Sequence, residues 1–196
     1  MFDTVKYWRN RIALYGSVNT TPTDKEGIHY IERELILKYV PDECLILDYG
    51  VGGGRLFPLY SEMRLKVQGW EVADHKEIIE ERKKKSTFTY YHYVEDEICV
   101  LPHPDKQFEA CICFAVLLHQ TPDNIEMVIS EICRVSKLVI ASVYEPLEKP
   151  KKIDAHCFTY DYKAIFEKLG ITIIEEKRIN PNSIFYVIKY ESKNIN

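Results

Sequence analysis

The stretch "LILDYGVGGGRL", residues 45 to 56, constrains this chain more than any other. An apolar run suited to one buried strand ends at Asp48, and four glycines follow within five positions. Glycine accepts positive φ and lets a ligand come close to the backbone. A strand that runs into such a turn and then into a helix puts that approach at the carboxyl edge of a parallel sheet. Two phosphate-binding patterns are excluded by spacing. No Gly-Lys-Ser/Thr is present, and a G-x-G-x-x-G turn starting at Gly50 needs glycine at 55, where Arg55 stands. Arg55 therefore disfavours a nicotinamide-dependent oxidoreductase.

After residue 40 the chain alternates short apolar runs with amphipathic segments, the pattern of a parallel sheet flanked by helices. Strands are expected at 44–49, 67–72, 87–92, 108–115, 137–143, 171–178 and 183–190. Residues 74–85, 121–135 and 159–170 read as helices, the second from apolar positions 125, 128, 129, 132 and 135. Thr121 or Asp123 is the expected cap of that second helix, and Gly170 the stop of the third. The last two strands are separated by too few residues for a parallel crossover, so the final strand is antiparallel. The expected fold is α/β: a single Rossmann-like domain with a seven-stranded, mostly parallel sheet and helices on both faces. Residues 1–40 are expected to form a helical cap segment, and 41–196 the ligand-binding domain. Within the cap, Thr23 and Glu26 stand at capping-box spacing and Pro41 follows its helix.

A formal net charge of -4 and a pI near 5.9 argue against a chain whose main task is gripping phosphate backbones. The run "EERKKK" within 74–85 fits a solvated helix face better than a nucleic-acid patch. No apolar stretch approaches a membrane span, and the first residues lack a signal-peptide core, so no membrane association is expected. The six cysteines sit mostly in apolar runs, as in "EACICFAVLL", and read as buried thiols of a cytoplasmic protein. There is no CxxC pair, and His119 and His156 are far apart in sequence, so no metal is expected. Nothing in the pattern points to a particular oligomeric state.

Read as Asp48-Tyr49-Gly50-Val51-Gly52-Gly53-Gly54, the turn is D-x-G-x-G-x-G. This resembles the first motif of the class I S-adenosylmethionine (SAM)-dependent methyltransferases. The rest of the chain is similar in order. "VQGWEVADHKEIIEERKK" resembles that family's second strand, which ends in an acid and leads into a helix. "LPHPDKQFEACICFAVLLHQTPD" resembles the approach to its fourth strand, and "EICRVSKLVIASVYEP" its following helix and fifth strand. The resemblance covers residues from about 43 to 190. It implies SAM as cofactor, with S-adenosylhomocysteine as product.

By the same resemblance Asp48, Tyr49, Gly50, Gly52 and Gly54 hold the amino-acid and ribose part of SAM. Asp48 lies near its amino group, directly or through water. Glu71, 23 residues after Asp48, matches the acid that accepts both ribose hydroxyls, with Val72 beside it. Asp96 or Glu97 meets the adenine, and Phe114 and Ala115 line the cofactor cleft. Gly53 is the least constrained of the four glycines.

Methyl transfer from a sulfonium is an in-line displacement in which alignment supplies much of the acceleration. A general base is needed only where the acceptor must lose a proton. His119, after the fourth strand, reads as a base or as a structural residue at a helix start. Tyr144 and Glu145 follow the fifth strand and would shape or polarise the acceptor pocket, and His156 precedes a later helix. In the N-terminal segment, Tyr7, Trp8, Arg11 and Tyr15 are candidate pocket groups, the arginine for a carboxylate and the aromatics for walls. The Asp/Asn-Pro-Pro-Tyr/Phe motif of amino-methylating DNA enzymes is missing from "FAVLLH", as is a Pro-Cys nucleophile. A small-molecule acceptor or biosynthetic intermediate is the preferred partner. Nucleic acid, protein, or a non-catalytic SAM-binding regulatory role are the alternatives.

Overall fold

The computed structural model describes residues 28–52, 54–72, 90–93, 100–148 and 154–190. Contacts divide the chain into two compact units, Met1–Ile98 and Cys99–Asn196.

In the first unit, helix α1 (Ile28–Tyr39) leads into strand β1 (Leu45–Tyr49). Helix α2 (Phe57–Glu62), strand β2 (Lys66–Glu71) and strand β3 (Tyr90–Tyr93) follow. The order is β3-β2-β1, with both pairings parallel. α1 turns Ile31, Leu35 and Ile36 inward at helical spacing. On the same face it buries Glu32, only 2% exposed. Both Glu32 oxygens accept from Arg55, each at 2.5 Å, in a bidentate pair. The Arg33–Glu62 pair between α1 and α2 lies at the surface and contributes little by comparison.

The register sets Asp48 beside Gly69 and Tyr49 beside Trp70. Gly69 has no side chain to fill the place that Val51 takes; a Cβ there would lie 3.2 Å from Val51 Cγ1. The turn after β1 is tied down by Trp70, whose carbonyl accepts from Gly50 N at 2.7 Å and Val51 N at 3.3 Å. α2 is too short for a periodic signal and was not legible in the sequence. Its Pro58 sits in the first turn, where a missing N–H costs nothing, and it buries Phe57, Leu59 and Tyr60. Gly54 is required by this packing. It holds φ +71°, and a Cβ on it would lie 2.5 Å from the Phe57 ring.

The second unit contains β4 (Ala110–Phe114), a 3-10 turn (Leu117–His119), α3 (Ile125–Val135) and β5 (Val139–Tyr144). Helix α4 (Tyr162–Leu169), β6 (Ile171–Asn180) and β7 (Ser183–Tyr190) complete it. The order is β4-β5-β7-β6: β4 and β5 are parallel, and β7 runs antiparallel to both β5 and β6, as the short β6–β7 connection demands. Every residue of β4 is buried, which accounts for its unbroken apolar run. α3 buries all five apolar positions of the expected stripe. It starts later than expected. Asn124 is the N-cap, without a side-chain bond, so neither Thr121 nor Asp123 caps it. Asp161 caps α4 by accepting from Ala164 N at 3.0 Å, and Gly170 closes it.

The segment before β4 is fastened to α3 by Arg134. Its guanidinium donates to the carbonyls of His103 (2.8 Å) and Leu101 (3.0 Å) and to Asp105 Oδ1 (2.6 Å), while Glu131 accepts from Leu101 N at 2.8 Å. Lys106 closes the C-terminal end of the same helix by donating to the carbonyls of Cys133 and Ser136. Cys111, Cys113 and Cys133 are buried thiols as expected, but Cys44 and Cys157 are half-buried.

Two stability predictions follow from the first unit. Gly54→Ala should cost roughly 2–4 kcal/mol in denaturant unfolding, from positive-φ strain and the collision with Phe57. Glu32→Gln, which leaves the Arg55 charge inside with a neutral partner, should cost roughly 2–4 kcal/mol in the same measurement. An Arg33→Ala control should stay within about 0.5 kcal/mol.

Candidate functional site

The first unit assembles one group of chemically able side chains at the carboxyl ends of β1 and β2. Asp48, the penultimate residue of β1, is 5% exposed, and its Oδ2 accepts from the Tyr60 hydroxyl at 2.9 Å. Burial pushes the Asp48 carboxyl up to about 7; the Tyr60 bond and the Arg55 charge pull it back, while Glu71 and Glu32 add to the rise. Tyr60, itself buried beside that carboxylate, is held well above its ordinary value. Arg55 keeps its charge despite burial because Glu32 grips it, and its Nη1 also lies 3.1 Å from His29 Nδ1. Asp48, Tyr60, Arg55, Glu32 and His29 thus form a polar layer under the glycine turn. Sequence reasoning missed all of it except Asp48. Arg55 signalled only a departure from the dinucleotide pattern, and its partner lies 23 residues away.

Glu71, the last residue of β2, faces the same turn. Its Oε2 accepts from Gly52 N at 2.7 Å and its Oε1 from Val72 N at 2.8 Å. A carboxylate offers about four acceptor positions, so these two bonds orient Glu71 without exhausting it. Gly52 holds φ +52°, and a Cβ built on it meets nothing within 4 Å. The glycine here faces space, bounded by an oriented carboxylate. These residues fit the SAM that the sequence resemblance implies: a bare backbone turn, a buried acid for a cationic amino group, and an acid aimed by two N–H groups for a diol. Tyr49 is buried, and Gly50 and Val72 are half-buried in the same turn region. Gly53, Asp96 and Glu97 lie outside the described residues, as do Tyr7, Trp8, Arg11 and Tyr15.

In the second unit, Phe114 ends β4 with its ring edge-on to Phe185 at 5.5 Å. Ala115 follows at φ +58°, a left-handed conformation uncommon for a residue with a Cβ. Its N–H donates to both the carbonyl (3.1 Å) and the hydroxyl (3.0 Å) of Ser142 on β5, which hold the kink in place. The 3-10 turn beyond carries His119. His119 Nδ1 lies 2.9 Å from the His156 carbonyl oxygen, and the two imidazoles stack at 5.3 Å and 20°. Cys157 Sγ, which sequence reasoning did not single out, is 3.8 Å from the same Nδ1. His119 and His156 are therefore brought together as two candidates on one side of this unit.

Tyr144 ends β5 and Glu145 follows it. Glu145 has structural work: it accepts from the Tyr186 hydroxyl at 3.0 Å, and its carbonyl accepts from Arg178 at 2.7 Å. Burial first, then Glu145, holds the Tyr186 hydroxyl above its ordinary value. Three buried oxygens of this unit, Gln120 Oε1, Ser136 Oγ and Tyr162 Oη, have no hydrogen-bond partner among the described residues.

Residues 46–138 match the family described as "Methyltransferase domain". No curated protein matches the chain in sequence. Among solved structures the chain is similar to the 1,6-didemethyltoxoflavin-N1-methyltransferase of Burkholderia thailandensis, solved with 1,6-didemethyltoxoflavin and S-adenosylhomocysteine. That likeness has 15% identity and a TM-score of 0.73 and covers 98% of this chain and 92% of that one. A SAM-dependent methyltransferase from Aquifex aeolicus gives 17% identity and a TM-score of 0.62, over 96% and 98%. The magnesium protoporphyrin IX methyltransferase of Synechocystis, solved with S-adenosylhomocysteine, gives 14% and 0.65, over 96% and 100%. With the D-x-G-x-G-x-G turn and the Glu71 carboxylate in hand, the chain carries a methyltransferase domain over residues 46–138 and shares the fold of S-adenosylmethionine-dependent methyltransferases.

Proposed function

We propose that the chain methylates a small molecule or biosynthetic intermediate by in-line displacement. The observation that carries this reading is the arrangement in the first unit: Gly52 at positive φ facing open space, with Glu71 oriented by the Gly52 and Val72 amides and Asp48 buried behind. When bound, SAM supplies a methyl group already activated on sulfur. Asp48 then takes the cofactor's ammonium, Glu71 its two ribose hydroxyls, and Gly50, Gly52 and Gly54 the backbone approach between them. Tyr49 and Val72 complete this wall, Phe114 and Ala115 contribute to the cleft, and Asp96 or Glu97 meets the adenine. For the N-terminal segment of residues 1–40, Tyr7, Trp8, Arg11 and Tyr15, which lie outside the described residues, are the candidate acceptor groups. Its described part, α1, is fastened through Glu32.

A small acceptor is favoured over nucleic acid by the acidic balance of the chain. The Burkholderia and Synechocystis enzymes, named for small heterocyclic acceptors, support the same choice. On the acceptor side His119 and Tyr144 are the groups placed to receive a proton, with Glu145 and His156 shaping the pocket. The Nδ1 bond to the His156 carbonyl defines a tautomer of His119 in which Nε2 carries the accepting lone pair.

Gly52→Val should abolish SAM binding in calorimetry, because branched bulk fills the space that the turn leaves open and positive φ strains the variant. Unchanged binding would place the cofactor elsewhere. The Asp48 shift gives a pH prediction. Below about 7 the folded chain carries Asp48 protonated, so SAM affinity should fall as pH drops, approaching tenfold per unit. Asp48→Asn should bind weakly with this dependence flattened. The sign on stability is opposite: the folded chain holds a proton that the unfolded chain releases above its ordinary value of 3.8, so this group's contribution falls as pH rises toward 7.

A further inference from the structure

We propose that His119, His156 and Cys157 form a binding site for a borderline-soft divalent cation, Zn²⁺ being the natural occupant. One donor atom from each lies within 4.8 Å of the other two. The set is two imidazoles and one thiolate, a donor combination that suits zinc over magnesium or calcium. With bonds near 2.0–2.3 Å and tetrahedral angles, donors around zinc stand roughly 3.3–3.7 Å apart. The widest separation in this set, 4.8 Å, exceeds that spacing by about an ångström, within the reach of side-chain rotation.

The scaffold is built before any ion arrives. The 3-10 turn and the loop that carries His156 are joined by Phe158 N donating to the Leu118 carbonyl at 2.7 Å, and by the Tyr160 hydroxyl donating to the Gln120 carbonyl at 2.5 Å. Cys157 N donates to the Asp154 carbonyl at 2.9 Å, closing the turn that lets two consecutive side chains converge. The His119 Nδ1 bond to the His156 carbonyl is the outer bond that commonly orients a ligating imidazole, and it presents Nε2 to the ion. Gln120, next in the chain, has a buried Oε1 with no partner among the described residues. His156 is buried, while His119 and Cys157 are half-buried, so the ion has a way in. Three protein ligands leave a fourth position for water or an anionic acceptor atom, the pattern of a reactive zinc site and not of a closed structural one. Coordination uses the lone pair a base would use. This inference therefore displaces proton acceptance by His119 and leaves the SAM reading, which rests on the first unit, as it stands.

The test is Co²⁺ titration of the full-length, untagged chain after chelator dialysis, read by absorption. The expected result is thiolate-to-cobalt charge transfer with tetrahedral d–d bands, saturating at about one equivalent and reversed by Zn²⁺. Cys157→Ser should lose the charge-transfer band, and His119→Ala should weaken binding by more than ~10-fold. Cys44→Ser, which alters another half-buried thiol, should keep both signals. A wild-type protein without the band, or a band that survives Cys157→Ser, overturns the site. Circular dichroism melts establish that each variant folds, and Cys157→Ser decides the matter if His119→Ala does not. Calorimetry with SAM on the same samples reports the first unit separately, so loss of cobalt binding with SAM binding intact refutes this site alone.

Discussion

The candidate cofactor site depends on how the turn after β1 is held to the end of β2. Five residues in this turn, glycine-rich and almost without side chains, have little of their own to fix a conformation. Trp70 and Glu71 supply what is missing. The Trp70 carbonyl takes two turn amides, and the Glu71 carboxylate takes a third from Gly52. The same carboxylate that the family resemblance assigns to the ribose is thus already part of the turn's structure. A diol arriving there meets an acceptor whose rotamer has been paid for by folding, so little ordering entropy is lost on binding.

Beneath that turn the protein accepts an arrangement that electrostatics alone would not favour. Asp48 is buried with Glu71 and Glu32 nearby, and its ionised form is costly there. Arg55 and the Tyr60 hydroxyl offset part of the cost, and Arg55 is itself held by Glu32 from α1. The layer is a chain of dependences: α1 fixes Arg55, Arg55 and Tyr60 moderate Asp48, and burial still leaves the ionised form of Asp48 disfavoured.

How much of this could be read from the sequence followed from distance along the chain. The seven strands, the antiparallel β7 and the apolar stripe of α3 were legible because each rests on periodicity inside one segment or on one short connection. Asp48, Gly52 and Glu71 were legible because a turn and the end of the neighbouring strand have near-fixed spacing. Glu32 was not, since nothing in "HYIERELILKY" distinguishes the inward Glu32 from the half-buried Glu34 two positions on. Only the helix phase, with Ile31 and Leu35 buried on either side, places it inside. Gly54 was legible as important, but its observed need is internal, contact with Phe57, in a helix too short to show a pattern. His119 and His156 were singled out one at a time. Their meeting across 37 residues, with Cys157 between them and α4, depends on loop geometry that no local pattern encodes.

The two units differ in how tightly their chemistry constrains them. Every cofactor-holding role proposed for the first unit demands a particular residue type at a particular place: a bare backbone, a buried acid, an aimed acid. On the acceptor side the reaction demands mainly alignment, because the sulfonium makes the methyl group reactive without help from the protein. An acceptor site can therefore be built from whatever residues its acceptor needs. The histidine-histidine-cysteine cluster of the second unit is of that kind: its two imidazoles and one thiol suit a borderline-soft cation, for which glycines and carboxylates offer no equivalent.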